Sequence, residues 1–238
     1  MPEESGTSRR ARLSRDRVLR AAVRLADAEG VDALSMRRLA ERLGVVPMAL
    51  YKHVADKDEL LDGMVDLVFA EVECPSGGGW RTALRARAVA MREALSRHPW
   101  AVGRMESGTP GPANLRHHNA VMAALRGEAG FSFEMAVHAY SVLDSYIYGF
   151  ALQESNLAGD LPAEASRRQD AVTVADPALA AELPYLVEVV EELGRAGYEY
   201  SQEYEFGLDL ILDGIERLRD RGGAVTDTLQ RRSRRQDR

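Results

Sequence analysis

The stretch that decides the fold is LSMRRLAERLGV, residues 34–45, followed directly by VPMALYKH, residues 46–53. Ser35 is a favourable N-cap, and the apolar residues after it recur at the three- and four-residue spacing of a helix. Gly44 accepts the positive φ that a tight turn requires. The second stretch predicts another short helix, Val46 to His53, so the pair is typical of a helix-turn-helix unit.

Apolar spacing predicts one helix on each side of this unit. The first begins after the N-cap Ser14 and ends at Gly30, and the fourth runs from Asp56 to Glu73 and opens with a capping box. A unit of about 45 residues buries little surface by itself, so we expect the fourth helix to complete its core. The residues predicted to bury the junction are Leu39, Leu43, Leu50 and Val54.

The rest of the chain keeps helical spacing and lacks a convincing run of alternating apolar and polar residues, which predicts an all-α fold. The segment CPSGGG, residues 74–79, is the clearest linker, and residues 107–112 predict a loop because Gly and Pro dominate them. Residues 158–184 carry mixed signals. Further helices are predicted at Trp80–Arg97, Ala113–Glu128, Phe133–Asn156, Tyr185–Arg195 and Tyr198–Arg221.

Charge is divided unevenly along the 238 residues, whose formal net charge is −6. Residues 1–57 carry 12 Lys+Arg against 8 Asp+Glu, a balance of +4, and the remainder carries 19 against 29, a balance of −10. The only lysines are Lys52 and Lys57. A basic head on an acidic body suggests that the two parts have different partners.

Composition argues against several classes of protein. Hydrophobic residues make up 45%, enough for a core, but no apolar run approaches the ~18 residues of a membrane helix. The first residues lack the apolar stretch of a signal peptide, and the single cysteine, Cys74, cannot form an internal disulfide, so we expect a cytoplasmic protein. The histidines show no metal-binding spacing, and residues 77–79 lack the lysine of a phosphate loop, so we expect no enzyme, metal or cofactor.

Residues 34–45 together with ALYKHVADKDELL, residues 49–61, resemble the DNA-binding head of the TetR (tetracycline repressor) family. Trp80, the triplet GFS at residues 130–132 and residues 205–215 resemble the C-terminal domain of the tetracycline-repressor type. The resemblance covers about residues 13–220. It implies an all-helical homodimer that combines an operator-binding head with a pocket for a small molecule and a four-helix dimer interface.

Four segments are therefore expected along the chain. The resemblance places a helix-turn-helix DNA-binding domain at residues 13–58 and a ligand-binding and dimerisation domain at 59–221. Composition adds a flexible arm at 1–12 and a disordered Arg-rich tail at 222–238. The long helix and the last one should form the dimer bundle, and we interpret their tyrosine-rich faces as core or dimer contacts rather than a ligand cage.

The resemblance also assigns the DNA contacts. It places Arg37 and residues 47–49 opposite the bases. The residues that mostly contact phosphate are Tyr51, Lys52, His53 and Lys57. Lysine is a point charge suited to phosphate, and the start of the fourth helix, where Lys57 lies, favours anions. The complete set of predicted DNA-binding residues is Ser35, Arg37, Pro47, Met48, Ala49, Tyr51, Lys52, His53 and Lys57.

The base-facing positions differ from those of the tetracycline repressor, because Pro47, Met48 and Ala49 offer no bidentate hydrogen-bonding group. Direct readout is expected to use thymine methyl groups and a contact from Arg37 to guanine, on a different operator. The alternative for Met48 and Ala49 is simple helix packing. Arg9, Arg10 and Arg12 are either a minor-groove arm or part of a solvated tail.

The resemblance gives the pocket positions a composition rich in methionine and without a metal-coordinating histidine, which favours a hydrophobic ligand. Arg87 could anchor an acidic or carbonyl-bearing ligand, and the alternative is an ion-paired or surface arginine. The predicted ligand-binding residues are Met64, Arg87, Met91, Trp100, Met105, Met122, Asp144 and Tyr148. Glu73, Glu106 and Ser145 are additional pocket candidates.

These observations predict a homodimeric transcriptional repressor that a small hydrophobic ligand releases from an inverted-repeat operator in double-stranded DNA. Ligand would move the fourth helix, residues 56–73, and so change the spacing of the two heads. One alternative is a regulator without a small-molecule trigger, or an activator. Another is an all-helical small-molecule enzyme or carrier. No membrane partner is expected.

Overall fold

A computed structural model describes residues 12–73, 78–157, 177–196 and 200–236. The α-helices are α1 (Arg15–Glu29), α2 (Met36–Leu43), α3 (Pro47–Leu50), α4 (Lys57–Ala70), α5 (Trp80–Arg97), α6 (Pro112–Met122), α7 (Phe133–Leu157), α8 (Pro177–Glu182), α9 (Pro184–Ala196) and α10 (Tyr200–Gln236). Short 3₁₀ turns lie at Val31–Ala33 and Pro99–Arg104, and a π-helical segment, Ala123–Glu128, extends α6. The described ranges contain no strand, so the predicted all-α fold class is confirmed.

The chain divides into two compact units. The head unit comprises Met1–Val72 and Arg97–His117, and the body unit comprises Glu73–Ser96 and His118–Arg238. The domain boundary predicted at residue 58 falls inside the head unit, which extends to the far end of α4. The reason is packing, because the apolar side of α4 completes the core of the head.

Side-chain capping sets the ends of the head helices. The hydroxyls of Ser14 and Ser35 accept hydrogen bonds from the backbone N–H groups of the third residues after them, as the sequence predicts. Asp56 accepts from the N–H of Glu59 at 2.8 Å. The Glu59 carboxylate in turn accepts from the N–H of Ala55 at 2.6 Å, which satisfies a second free donor. The predicted cap residues of α1, α2 and α4 are therefore confirmed.

The turn between α2 and α3 depends on Gly44, which adopts the left-handed conformation with φ of 67°. Its N–H bonds back to the carbonyl groups of Ala40 and Glu41, which closes α2. Each of the predicted junction residues is buried except Leu43, which packs against the core while partly exposed. The predicted helix-turn-helix is therefore confirmed in its glycine turn and in its buried junction.

Several predicted helix ends differ from the structure. α3 ends at Leu50 instead of His53, since a turn there brings the chain round to the N-cap of α4, and α4 ends at Ala70 instead of Glu73. α6 begins at Pro112, which the sequence assigned to a loop, because proline fits the first helical position. α10 continues to Gln236 rather than Arg221, through most of the segment 222–238 that the sequence predicts to be disordered.

Three predicted segments fall wholly or partly on residues that the structure leaves undescribed. The predicted arm, residues 1–12, lies outside the described residues except for Arg12, which is exposed. Most of the mixed segment 158–184 and the greater part of the linker 74–79 lie outside them as well.

Charged and aromatic contacts hold α5 and α7 against α10 in the body. Arg81 on α5 contacts Asp213 at 2.5 Å, and Arg85, one turn further on, pairs with Glu205 and Asp209. Tyr204 is fully buried, and its hydroxyl donates to the carbonyl of Ala88 at 2.7 Å. In the body this tyrosine is therefore a core residue.

Among the described residues, no helix combines the length and the apolar character that crossing a bilayer would require.

Candidate DNA-binding face and ligand-binding residues

One carboxylate links the second helix of the head to α1. Glu29, at the end of α1, pairs with Arg38 and with Arg42, the latter at 3.1 Å. Arg37 precedes both along the chain and is left almost fully exposed, paired with Glu41 on its own helix at 3.1 Å. Exposed pairs of this kind contribute at most about 1 kcal/mol, so Arg37 can exchange Glu41 for a nucleic-acid group at little cost.

The third helix is a single turn with one apolar anchor. Pro47 occupies its first position, Leu50 is completely buried, and Met48 is 72% exposed. The alternative interpretation of Met48 as a packing residue is therefore wrong. Ala49 is only half-buried, so both interpretations of it remain.

The predicted phosphate contacts lie along the segment that joins α3 to α4. Tyr51, Lys52 and Lys57 are exposed, and His53 is half-buried. Lys57 is the first residue of α4, where free backbone N–H groups and the helix dipole favour an anion. Ser35 is exposed, and although its oxygen accepts the capping hydrogen bond its O–H can still donate. The predicted DNA-binding residues of the head therefore offer exposed hydrogen-bond donors and positive charge.

Two carboxylates of α4, which the sequence patterns did not predict to be functional, bind backbone N–H groups between residues 109 and 114 of the head. Asp62 accepts from the N–H of Thr109, and Asp66 accepts from the N–H groups of Ala113 and Asn114, all at 2.9 Å. Asp66 thus caps α6 from another helix. The signal in the sequence was the pair of aspartates four residues apart on α4, but only the fold shows what they bind.

A buried histidine joins three parts of the head. The Nδ1 atom of His98 lies 2.8 Å from Asp27, and its Nε2 atom lies 3.2 Å from Glu71. Partial burial raises the pKa of Glu71, but the hydrogen bond from Arg97 and the charge of His98 lower it further, so the net pKa is below its ordinary value. Trp100 donates to Asp27 at 2.7 Å, so this predicted ligand residue already has a structural partner.

The predicted ligand-binding residues are divided between the two units. In the head, Met64 belongs to the hydrophobic core, Trp100 packs against that core, and Met105 is buried. In the body, Met91 is buried and Met122 half-buried. The additional candidates Glu73, Glu106 and Ser145 are exposed.

The remaining three predicted ligand residues come together in the body as one buried cluster. Arg87 on α5 is 2% exposed, and its Nη1 atom lies 2.6 Å from Oδ1 of Asp144 on α7. Tyr148 donates to the other carboxylate oxygen of Asp144 at 3.2 Å. The Arg87 guanidinium also lies over the ring of Tyr140, 5.8 Å from its centroid. The ion-paired alternative for Arg87 is therefore the one that the structure shows.

The electrostatics of this cluster follow from burial. Desolvation lowers the pKa of Arg87, but the charge and the hydrogen bond of Asp144, with smaller contributions from the two tyrosines, together raise it more, so Arg87 stays charged. Burial and the charge of Asp144 raise the pKa of Tyr140, which keeps that phenol protonated. The cluster is a neutral set of one ion pair and two phenols.

Over the described ranges, no group of three or more His, Cys, Asp or Glu side chains is arranged to hold a metal ion.

Two family models match this chain. Residues 18–64, which contain the helix-turn-helix, match "Bacterial regulatory proteins, tetR family", and residues 74–219 match "Tetracyclin repressor-like, C-terminal domain". Together they span most of the head core and nearly all of the body.

Similar proteins cover most of the chain. The transcriptional repressor DrrR1 of Streptomyces coeruleorubidus is 35% identical over 218 residues, 87% of this chain and 78% of the relative. The class A tetracycline repressor from transposon 1721 of Escherichia coli is 34% identical over 213 residues, 87% of this chain and 93% of that protein.

A solved structure is also similar to this chain. The complex of ActR from Streptomyces coelicolor with actinorhodin superposes with a TM-score of 0.72 at 30% identity, covering 86% of this chain and 97% of ActR. Fold, motif and relatives agree: the chain belongs to the TetR family of bacterial regulatory proteins.

Proposed function

We propose that the protein is a homodimeric transcriptional repressor that binds an inverted-repeat operator through its heads and is released by a small hydrophobic ligand bound in its body. The observation that carries the proposal is the exposed face of the helix-turn-helix. Lys52 and Lys57 follow a one-turn helix whose only buried side chain is Leu50, so the face is built to contact something other than the protein.

The charge distribution also supports DNA binding by the head and not by the body. The balance of +4 over residues 1–57 favours the phosphate backbone, and the balance of −10 over the remainder disfavours it. The relatives add that DrrR1 and the class A tetracycline repressor are repressors, and that ActR binds actinorhodin. By analogy, the body of this chain holds the ligand.

Replacing Lys57 by alanine should weaken binding to every DNA sequence and not only to the operator. The side chain would contact phosphate, and removing one phosphate contact flattens the dependence of log K on log salt by about one unit. The measurement is fluorescence anisotropy of a labelled operator at several salt concentrations, with the operator selected from random duplex DNA.

Arg195→Ala is the matched control, because it removes one exposed positive charge from the body. It should change neither the affinity nor the salt slope. If Lys57→Ala behaved like this control, the assigned docking of the head would be wrong.

Dimerisation is proposed to use the outer side of α10. Its inner side is buried within the body through Tyr204, Leu208 and Leu212, yet Phe206 and Leu210 on the other side are 65% and 56% exposed. An apolar side chain on each face is typical of a helix that packs within its own subunit and against a second copy. Two heads joined in this way would bind two half-sites.

Leu210→Glu should convert the dimer to a monomer, since it places a charge in the centre of the proposed apolar contact. Light scattering coupled to size exclusion measures the mass directly. Leu115→Glu, at a similarly exposed leucine of the head, is the control and should stay dimeric. A Leu210→Glu protein that remained dimeric would place the interface elsewhere.

Ligand release is tested with actinorhodin, because the ActR complex contains it. Added to the protein–operator complex, it or another hydrophobic compound should release the DNA without unfolding the protein. A complex that no such compound dissociates would favour the alternative of a regulator without a small-molecule trigger.

Regulators of this family are generally non-enzymatic. The enzyme or carrier alternative is therefore the less favoured one. A gel shift with the DNA upstream of its own gene separates a DNA-binding regulator from an enzyme or carrier, because an enzyme or carrier would show no specific binding.

We also propose that the protein acts in the cytoplasm, where its DNA lies.

A further inference from the structure

We infer that His98 is a pH-sensitive tether of the head: its doubly protonated ring ties the end of α1 to the end of α4, and the loss of one proton releases α4. The buried ring lies between Asp27, in the last turn of α1, and Glu71, the residue that follows α4. All three residues belong to the head unit, and the inference does not depend on the proposed DNA-binding function.

The hydrogen bonds of His98 require a proton on each ring nitrogen. Nδ1 lies 2.8 Å from Oδ1 of Asp27, and Nε2 lies 3.2 and 3.3 Å from the two carboxylate oxygens of Glu71. An ionised carboxylate only accepts hydrogen bonds, and a neutral imidazole has one N–H, so a neutral ring could satisfy only one of these contacts. Oδ1 of Asp27 also accepts from the indole of Trp100 at 2.7 Å, which shows that it acts as an acceptor here. The arrangement therefore fits the imidazolium form of the ring.

The charges around Glu71 keep this carboxylate ionised. Partial burial raises the pKa of Glu71, but the hydrogen bond from Arg97 and the charge and hydrogen bond of His98 outweigh it, so the net pKa is lowered. Arg20 of α1 also interacts electrostatically with Glu71. The proton between the ring and Glu71 therefore belongs to the ring.

The ends of the two helices supply a second reason for a positive charge at this place. The last turns of α1 and α4, both fully described, contain no basic residue. Free carbonyl groups give the C-terminus of a helix a partial negative charge, which a nearby cation stabilises. A protonated His98 supplies this cation beside the carboxylates at both ends.

Loss of one proton affects the two contacts of the ring unequally. The contact with Asp27 is the shorter one, so the remaining proton stays on Nδ1, and Nε2 then turns a lone pair towards Glu71. Glu71 keeps its hydrogen bond from Arg97 at 2.8 Å. The end of α4 is thus released from the ring while the end of α1 stays bound. Histidine changes its charge between about pH 5 and 8, so the release falls in the physiological range.

The stability of the head should therefore fall as the pH rises. Only the folded head uses the second N–H, so this stability is present while the ring is protonated and is lost as the pH rises through the titration of the ring. The lowered pKa of Glu71 affects stability only at lower pH, where that carboxylate takes up a proton.

Urea unfolding of the full chain in a Trp80→Phe background, followed through Trp100, measures this effect. We expect the folding equilibrium constant of the head to fall about tenfold between about pH 5.5 and about pH 8.5. This is the lower end of the effect of a hydrogen bond to a charged group, because Glu71 is partly exposed.

Glu71→Gln separates the tether from an ordinary ion pair. The amide oxygen still accepts from a protonated Nε2, and the amide N–H can donate to a deprotonated one. The variant should be less stable than the wild type at the acidic end of the range, and its stability should not fall towards the alkaline end. Glu41→Gln is the matched control, because it removes another arginine-paired carboxylate of the head, and it should keep the pH dependence of the wild type.

NMR of the imidazole nitrogens determines the protonation state of His98 directly. Both nitrogens should carry a proton at the acidic end of the range, and Nδ1 alone at the alkaline end. His53 and His117 of the head are present in every variant, so the comparison removes their contribution. A ring that kept its proton on Nε2 at the alkaline end, or a Glu71→Gln protein with the pH dependence of the wild type, would overturn the inference.

Discussion

Replacing Asp144 by alanine should lower the free energy of unfolding of the body by about 3–5 kcal/mol, because it leaves a buried charge without its counter-ion. Arg87 is almost completely buried, and its contact with Asp144 is 2.6 Å long. Neither water nor the phenol of Tyr148 can replace a full negative charge at that position. The result would show that the cluster is held together by charge.

The two tryptophans of the chain make this measurable. Trp80 lies in the body and Trp100 in the head. Urea unfolding in a Trp100→Phe background therefore reports on the body through Trp80. Circular dichroism in the same titration follows the loss of helix from the whole chain.

The control is the double variant Arg87→Met with Asp144→Leu, which removes both charges and keeps a similar volume. It should be much closer to wild type than the single variant, since replacing a buried pair by apolar residues is often neutral or stabilising. A single variant destabilised by less than about 1 kcal/mol would mean that another group neutralises Arg87.

Replacing Leu50 by alanine should lower the stability of the head by about 2–5 kcal/mol and weaken operator binding together with it. α3 has only four residues, too few to be stable as an isolated helix. Leu50 is completely buried and is the side chain that attaches this turn to the core. Without it, Pro47, Met48 and Ala49 are no longer held in a fixed position.

Unfolding in a Trp80→Phe background isolates the head, because Trp100 is then the remaining tryptophan. Met48→Ala is the matched control on the same helix. It should leave the stability unchanged, as the side chain is exposed, while still altering DNA affinity. Equal stability of Leu50→Ala and Met48→Ala would contradict the role of Leu50 as the anchor.

Local chemistry explains why the head could be predicted in such detail. Ser14, Ser35 and Asp56 cap the helix that follows each of them, and Gly44 has the left-handed conformation that its turn requires. Each of these effects depends on residues within four positions along the chain, so the pattern in the sequence is sufficient. The same reasoning indicated Lys57 at the start of α4.

The ends of helices and the division into units were harder to predict. Where α3 stops depends on the path to the next N-cap, and α4 belongs to the head because its apolar face meets α1 in space. The capping of α6 by Asp66 likewise joins residues 47 and 48 positions apart. Periodicity within one helix carries no information about such partners.

Patterns along the chain were enough to predict the all-α class and the helix-turn-helix, because spacing, caps and turn residues act locally. They could not show that Arg87 is paired with Asp144, 57 residues further along the chain, or that Val46 and Met48 stay exposed while Leu50 does not. Those facts came from the packed structure. Burial and ion pairing are properties of neighbours in space, and those neighbours exist only once the helices have packed.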